Sequence, residues 1–248
     1  MPRFFVKEEQ ILGDQIAITG SDAHHIGRVL RMKAGEELTV CDFFNTEYLC
    51  RILSFSEETV WAQILEKRAA ASEMPFPVTL YMALPKGDKM ELIVQKAVEL
   101  GVSLIVPFSS AFTVVKLDEK NALKKQERWQ KIAVSAAQQC GRGMIPTVER
   151  PMSYKEALQH CAAQKKQGSV SFICYEREDG LALPELLKKE PSPESVCFFV
   201  GSEGGFEEKE VLLAAQQGIV SVGLGKRILR CETAPLFVLS ALSYQYEL

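Results

Sequence analysis

Two turns near the C-terminus of this 248-residue chain carry the residues best suited to ligand binding. The first, at residues 198–206, follows an apolar run typical of a buried strand and contains Gly201, Gly204 and Gly205. Glycine permits positive φ and close backbone approach to a ligand, and a helix start offers unpaired amide donors. The spacing matches neither a dinucleotide fingerprint nor a P-loop. A ligand-binding turn and a plain strand–helix connection therefore both fit this segment.

The second turn, at residues 225–233, follows a short predicted strand at residues 220–224. It leads into a helix that starts at Ala234 and Pro235, with Thr233 as the predicted N-cap. Its charged and apolar residues are Lys226, Arg227, Ile228, Leu229, Arg230 and Glu232. Charges mixed with apolar side chains suit a pocket for a flat, partly polar ligand. A solvated loop is the alternative, but it fits less well with an Ile-Leu pair inside the turn.

Basic side chains that could meet phosphates lie near the N-terminus. Arg28 and Arg31 are spaced i, i+3, which places them on one face of a predicted short helix. Ser21 is predicted to cap that helix, and Gly35 follows its end. Arg3 could join the pair. A surface helix with a solvated basic face explains the segment as well, and the adjacent histidines before it do not face each other, which argues against a shared metal.

Two further segments carry cations that could meet phosphates. Residues 116–142 carry seven Lys and Arg against three Asp and Glu, beside an apolar side. An amphipathic surface helix explains most of this pattern, so phosphate contact is a weak interpretation of it alone. Residues 84–91 end a strand and begin a helix, which places Lys86 and Lys89 where parallel sheets build sites. A plain turn at a helix start is the competing interpretation.

Several classes of site are disfavoured. The chain has three histidines and shows no Ser-His-Asp or Cys-His pattern, which argues against hydrolysis by a familiar triad. Its seven cysteines are odd in number and lack Cys-x-x-Cys spacing, which argues against a disulfide framework and a zinc site. No signal-peptide pattern or membrane-spanning apolar run is visible. We therefore expect a cytoplasmic protein with no metal and no membrane partner.

The elements that must position these residues form two patterns. Residues 1–70 show short alternating strands, typical of a small barrel or sandwich, and residues 71–77 show a linker pattern. Residues 78–248 alternate apolar strands with helices, which predicts a parallel α/β sheet. The final helix is apolar on nearly every side, so it is either fully buried or part of a subunit interface. We favour the interface because the helix starts at a candidate site.

The net charge of −3 limits how RNA could bind. Residues 1–70 carry 8 Lys and Arg against 11 Asp and Glu, and the remaining residues carry 21 of each. Because neither part is basic overall, RNA would have to bind local basic patches.

The chain resembles the ribosomal small-subunit methyltransferase E family of the SPOUT class over nearly its whole length. The matching segments are residues 25–31, 84–89, 99–102, 128–133, 139–142, 201–206 and 224–234. The last two together are the most specific. The chain departs from common family residues at Phe112, Gln138 and Cys231, and the first two departures weaken any RNA contact predicted there.

The resemblance implies an α/β fold with a small N-terminal PUA-like β-barrel at residues 1–70. It also implies a C-terminal SPOUT domain at residues 78–248 with a deep trefoil knot at about residues 196–248. The implied activity is S-adenosylmethionine-dependent methylation of N3 of one uridine in 16S rRNA by a homodimer. A methylase for another rRNA or tRNA base, or a non-catalytic rRNA-binding assembly factor, is the alternative. Because the chain is not basic, we expect rRNA to be bound within an assembled small subunit.

The resemblance also implies roles for individual residues. The implied catalytic residues are Arg230, Glu232 and Glu203. Arg230 would stabilise negative charge on the uracil oxygens, and either glutamate would accept the N3 proton. The implied cofactor-binding residues are Val200, Gly201, Ser202, Glu203, Gly205, Leu224, Gly225, Arg227, Ile228, Leu229, Thr233 and Ala234. The implied RNA-binding residues are Arg3, His25, Arg28, Arg31, Lys86, Lys89, Arg128 and Arg142.

Overall fold

A computed structural model describes residues 1–114 and 118–248. Lys116, which opens the predicted basic stretch, lies outside the described residues. The chain forms two compact units: Met1–Glu73 with Ala137–Ile145, and Met74–Ala136 with Pro146–Leu248. The predicted domain boundaries at residues 70 and 78 stay predictions, because two compact units need not be two independently folding domains.

The first unit is built on a sheet that is antiparallel except for one parallel pair of strands. Its strands are β1 (Arg3–Phe5), β2 (Ile11–Leu12), β3 (Gln15–Thr19), β4 (Glu37–Cys41), β5 (Thr46–Phe55) and β6 (Thr59–Ala69). They are ordered β1-β4-β5-β6-β3-β2, and β1 pairs with β4 in parallel. Alternate residues of β3 and β4, such as Ile16, Ile18, Leu38 and Val40, point into one hydrophobic core.

The short helix of this unit differs from the prediction. Helix α1 (Gly20–His24) starts after Thr19 as N-cap, and it continues as one turn of π-helix over His25–Val29. Arg31 lies beyond the helix with φ 53°, in the left-handed region. The predicted cap at Ser21 and the predicted shared helix face of Arg28 and Arg31 are therefore wrong. The helix ends too early for an i, i+3 pair.

The remaining elements alternate strands and helices, which confirms the predicted α/β pattern. They are β7 (Val78–Ala83), α2 (Lys89–Glu99), β8 (Leu104–Ser109), α3 (Glu119–Cys140), β9 (Thr147–Val148), β10 (Met152–Ser153), α4 (Tyr154–Gln164), β11 (Ser169–Cys174), α5 (Leu183–Lys189), β12 (Ser195–Val200), α6 (Glu208–Gln216), β13 (Val220–Val222) and α7 (Thr233–Tyr246). The strand order is β10-β8-β7-β12-β11-β13, with β9 also paired to β8. The ladders that join these strands are parallel, as predicted.

Strand β12 lies in the middle of this sheet, between β7 and β11. Successive side chains of a strand point to opposite faces, so both faces of β12 must be covered. Phe198 stacks on Phe172 with ring centroids 5.7 Å apart, and Phe199 stacks on Tyr81 at 4.2 Å. This packing explains the unbroken apolar run at 196–200, and it fixes the point where the chain leaves the sheet at Gly201.

Helix α7 buries Val238, Leu239 and Leu242 but leaves Phe237 and Tyr244 exposed. It is thus neither fully buried nor fully solvated within one chain. No helix within residues 1–114 and 118–248 is both long and apolar enough to cross a membrane.

Candidate active site

A cleft of about 530 Å³ lies in the second unit, where the chain leaves β11, β12 and β13. The carboxyl ends of parallel strands meet at one edge of a sheet, so the two turns singled out in the sequence come together here. From the predicted cofactor and catalytic sets, the cleft is lined by Val200, Gly201, Ser202, Glu203, Gly205, Leu224, Gly225, Arg227, Ile228, Leu229, Arg230, Glu232 and Ala234. Thr233 is not among the lining residues.

The turn after β12 is closed by its own backbone. The Gly205 N–H donates to the Ser202 carbonyl at 3.0 Å, and Gly205 has φ 69°. A Cβ on Gly201 would lie 2.8 Å from the Gly205 carbonyl group, closer than real Cβ contacts allow. Glycine at these two positions therefore follows from the turn geometry itself.

The Ser202 hydroxyl is the least satisfied polar group of this turn. Ser202 is 6% exposed, and its Oγ atom has no hydrogen-bond partner among the described residues. Buried polar atoms in native proteins almost always have a partner, because an unpaired one costs about 1–3 kcal/mol. Since Ser202 lines the cleft, a ligand with a polar edge could supply the missing hydrogen bond.

The turn after β13 presents apolar surface to the cleft. Ile228 lies in it with 85% of its surface exposed, and Leu224 and Leu229 are half-buried. Covering such a side chain stabilises a complex by about 25 cal/mol per Å² of apolar area. The cleft therefore combines a polar strand-end turn with an apolar turn, as a flat, partly polar ligand requires.

Two carboxylates of the cleft share one ammonium group. Glu203 accepts hydrogen bonds from Lys89 Nζ at 2.8 Å and from the Lys86 N–H at 3.1 Å. Lys89 Nζ also lies 3.6 Å from Glu232 Oε2, which accepts from the Cys231 thiol at 3.2 Å. The ammonium of Lys89 is thus engaged inside the site, which argues against the RNA contact predicted for it.

These contacts set the protonation states. Burial raises the pKa of Glu203, but the Lys89 ammonium and the backbone N–H donors together outweigh burial, so the net shift of that pKa is downward. The pKa of Glu232 also falls, because the Cys231 thiol and the nearby cations outweigh burial. Burial and the Glu232 carboxylate raise the pKa of Cys231 to about 12. Both glutamates are therefore ionised at neutral pH, while Cys231 stays a neutral thiol.

Arg230 is one of three cations that the turn after β13 presents to the cleft, with Lys226 and Arg227. Its carbonyl accepts the N–H groups of Thr233 and Ala234 at 2.8 and 3.0 Å, which ties it to the first turn of α7. The residue is exposed at the cleft, and its guanidinium forms no ion pair with a carboxylate of the described residues. It is therefore available to an anionic group of a ligand.

Comparison with known proteins identifies the family. A model of the RNA methyltransferase domain matches residues 72–243, and a model of the RNA methyltransferase PUA domain matches residues 18–65. Ribosomal RNA small subunit methyltransferase E of Bacillus subtilis is 39% identical over 261 aligned positions, covering 100% of this chain and 98% of that protein. The chain belongs to the ribosomal RNA small subunit methyltransferase E family.

Two other members agree in sequence or structure. The Synechocystis methyltransferase E is 32% identical, with 97% of this chain and 77% of that protein covered. The crystal structure of methyltransferase E from Neisseria gonorrhoeae, bound to S-adenosyl methionine, matches with a TM-score of 0.86 and 32% identity. That match covers 99% of this chain and 98% of the other. The family membership therefore extends over both units.

The basic residues predicted to meet RNA fall into two groups in this family member. Arg142 is 3% exposed and bonded through its guanidinium to Glu73, and Arg3 pairs with Glu47 at 2.8 Å. The burial and pairing of both side chains argue against the RNA contacts predicted for them. A phosphate would have to displace a buried ion pair, which costs several kcal/mol.

The second group is open to solvent. His25, Arg28 and Arg31 are exposed in the first unit, and Lys86 is exposed in the second. Arg128 on α3 is also exposed, with one surface ion pair to Glu91 at 2.8 Å. Exposed pairs contribute only about 0–1 kcal/mol, so Arg128 can change partners readily.

An acidic loop after β11, not predicted from the sequence, also belongs to the cleft. Glu176, Glu178 and Asp179 line the cleft, and a Cβ on Gly205 would lie 2.8 Å from a Glu176 carboxylate oxygen. The position of this loop in the sequence could have revealed it. Charged residues directly follow an apolar strand at residues 169–174, and the end of that strand lies at the same sheet edge as the two turns. With this loop, the cleft holds three carboxylates in addition to those of Glu203 and Glu232.

Proposed function

We propose that this chain transfers a methyl group from S-adenosylmethionine to N3 of a uridine in 16S rRNA. The observation that carries the proposal is the cleft where both predicted turns meet beside the free guanidinium of Arg230. Curated family relatives are small-subunit rRNA methyltransferases, and a related structure is bound to S-adenosyl methionine. The uridine N3 specificity rests on the family resemblance.

The residues of the cleft fit this cofactor. Its volume of about 530 Å³ is in the usual range for small-molecule sites, roughly 300–1,000 Å³. Ser202 offers an unpaired hydroxyl, and Ile228 offers exposed apolar surface. Gly201 lets the turn after β12 close on Gly205. The backbone of residues 201–205 and 224–229 would hold the nucleoside. When bound, the cofactor supplies a methyl group on a sulfonium whose leaving group departs neutral.

Arg230 would act on the RNA base. Removal of the N3 proton leaves negative charge on the two oxygens that flank this nitrogen. A planar guanidinium can donate two parallel hydrogen bonds to such a group, and its charge stabilises the anion. Arg230 suits this role because it is exposed at the cleft and forms no ion pair among the described residues.

We infer that Glu232, rather than Glu203, accepts the N3 proton. Glu203 already accepts bonds from the Lys89 ammonium and the Lys86 amide, whereas the closest partner of Glu232 is the weakly donating thiol of Cys231. Lone pairs of Glu232 therefore remain for the base. Glu203 and Lys89 would act as positioning residues. The Glu232→Gln variant should lose more rate than Glu203→Gln, by about 10-fold or more; equal losses would leave the assignment wrong.

The decisive experiment replaces Arg230. The Arg230→Ala variant should lose about 100-fold or more in methylation rate on 16S rRNA, because one preformed electrostatic contact to a reacting anion has that value. Its affinity for S-adenosylmethionine, measured by calorimetry, should stay near wild type. Lys226→Ala removes a cation from the same turn and serves as the control. Full activity of Arg230→Ala with normal cofactor affinity would exclude the role.

The RNA would be bound as part of an assembled small subunit in the cytoplasm. The chain is acidic overall, and only local side chains such as Arg28, Arg31, Lys86 and Arg128 offer exposed positive charge. Shape recognition on a folded particle would therefore supply much of the affinity. A tight, strongly salt-dependent affinity for bare 16S rRNA would contradict this. Mass spectrometry of RNA from a deletion strain identifies the base that loses its methyl group.

We further propose a homodimer built on α7, with residues 196–248 threaded as a deep trefoil knot and the first unit closed as a PUA-like barrel. Support for the dimer comes from the aromatic side chains of Phe237 and Tyr244, which are exposed on a mostly apolar helix. A Phe237→Glu variant should sediment as a monomer while the exposed-residue control Lys188→Glu stays dimeric. A wild-type monomer at micromolar concentration would contradict the dimer.

A further inference from the structure

The turn between β4 and β5 in the first unit displays an aromatic side chain that the proposed chemistry does not use. Phe44 is 74% exposed at its tip. Its neighbour Phe43 packs against Phe5, with ring centroids 5.9 Å apart. Single exposed apolar residues are common on proteins, so exposure alone means little.

The turn is held rigidly. The buried carboxylate of Asp42 accepts the N–H groups of Phe44 and Thr46, both at 2.9 Å, and the hydroxyl of Tyr48 at 3.2 Å. The Asp42 N–H donates to the Thr46 carbonyl at 3.1 Å, and Asn45 takes φ 64°. Because the backbone of Phe44 is fixed before binding, little conformational entropy remains to be lost on contact with a partner.

Two cations lie on the neighbouring strand β6, opposite the first residues of β5 after the turn. Across the β5–β6 ladder, Tyr48 pairs with Lys67 and Glu47 pairs with Arg68. Lys67 is exposed with its ammonium 5.5 Å from the ring centre of Tyr48, and the side chain of Arg68 is largely exposed while it bonds to Glu47. An exposed ring on a turn whose neighbouring strand carries exposed cations matches a base with its phosphates, whereas an apolar protein surface would offer no anion to the ammonium of Lys67.

We propose that Phe44 stacks on an unpaired base of the RNA substrate, with Lys67 and Arg68 meeting the adjacent phosphates. The inference rests on the proposed action on RNA, and it adds a contact to a second nucleotide besides the one methylated. Single-stranded RNA is bound in this way because every base has a flat face for an aromatic ring, while a base inside a duplex is already stacked.

The test uses the full chain and a short fluorescent single-stranded RNA. The Phe44→Ala and Phe44→Leu variants should bind it at least about fivefold more weakly, since stacking one base contributes about that much. Phe44→Trp should keep the affinity, and its added tryptophan emission should be quenched by the RNA. Leu53→Ala, which removes another exposed side chain from β5, should change nothing.

Phosphate contact has its own readout. Lys67→Gln should reduce the salt dependence of RNA affinity by about one unit in the log–log slope. Arg68 is less suitable for this test because it also holds the buried Glu47.

Three results would overturn the inference. The first is wild-type RNA affinity of Phe44→Ala. The second is wild-type affinity of Phe44→Leu, which would indicate an apolar protein contact. The third is an equal loss of affinity for single-stranded and duplex RNA in the Phe44→Ala variant. The Phe44 and Lys67 variants should methylate at the wild-type rate when 16S rRNA is saturating. A failure of the stacking inference is therefore distinguishable from a failure of the proposed function. Unchanged thermal unfolding of each variant verifies the fold.

Discussion

The two units hold their carboxylates in opposite ways. In the first, Glu47 is 7% exposed and bonded by two guanidinium groups, from Arg3 and Arg68, and Glu73 is bonded by Arg142. In the cleft of the second unit, Glu203 is 30% exposed and shares one ammonium with Glu232. Planar guanidinium forks fill the lone pairs of a carboxylate, whereas one shared ammonium leaves some of them free. The first arrangement stabilises the fold, and the second leaves carboxylate lone pairs free to accept hydrogen bonds from a substrate.

This difference explains why basic residues are hard to assign from sequence. Arg142 lies 69 residues from Glu73, and Lys89 lies 114 residues from Glu203. Neither pairing has a local signal, so both cations were predicted to be free for RNA. The three-dimensional pairing of a charge, more than its type, decides whether it can serve a ligand.

The largest expected effect lies in the first unit. Arg142→Ala leaves the buried carboxylate of Glu73 without its cation, so the free energy of unfolding should fall by about 3–5 kcal/mol, measured by urea denaturation. Arg128→Ala breaks an exposed ion pair and should cost about 0–1 kcal/mol. If both variants lost the same stability, the distinction between a structural and an open arrangement would fail.

The next effect concerns the shared ammonium of the cleft. Lys89→Met removes the group that lowers the pKa values of Glu203 and Glu232, so both should rise. The acid limb of the kcat/KM profile should therefore move to higher pH, with about a 10-fold loss at the acid end. Lys86→Met is the control, because Lys86 contacts Glu203 through its backbone N–H. An unshifted profile for Lys89→Met would show that Lys89 sets neither pKa.

The smallest effect concerns the acidic loop of the cleft. Glu176→Gln should weaken S-adenosylmethionine binding by roughly fivefold while S-adenosylhomocysteine binding changes less, because only the former carries a sulfonium charge. Glu185→Gln, on α5 outside the cleft lining, is the charge-matched control. Calorimetry with both ligands measures the ratio, and an unchanged ratio would remove the loop from cofactor selection.

The sequence was most informative where the pattern was long or sterically constrained. The apolar run of β12 and the glycines at Gly201 and Gly205 reveal a strand and a tight turn, because few other structures tolerate them. Helix α5 was missed because seven residues are too few for a clear 3.6-residue period. Strand β3 was missed because its two apolar residues, Ile16 and Ile18, form a short alternation. The error at Arg31 arose because the unwinding of a helix after a π-turn depends on packing.

The central claim is that the turns at residues 201–205 and 224–232 form one pocket for S-adenosylmethionine. A crystal structure of the full chain soaked with this cofactor tests it most directly. We expect density for the nucleoside between the two turns, with a hydrogen bond to Ser202 Oγ or the neighbouring backbone amides and with Ile228 covered. Density at another place on the chain, beside an empty cleft, would contradict the account.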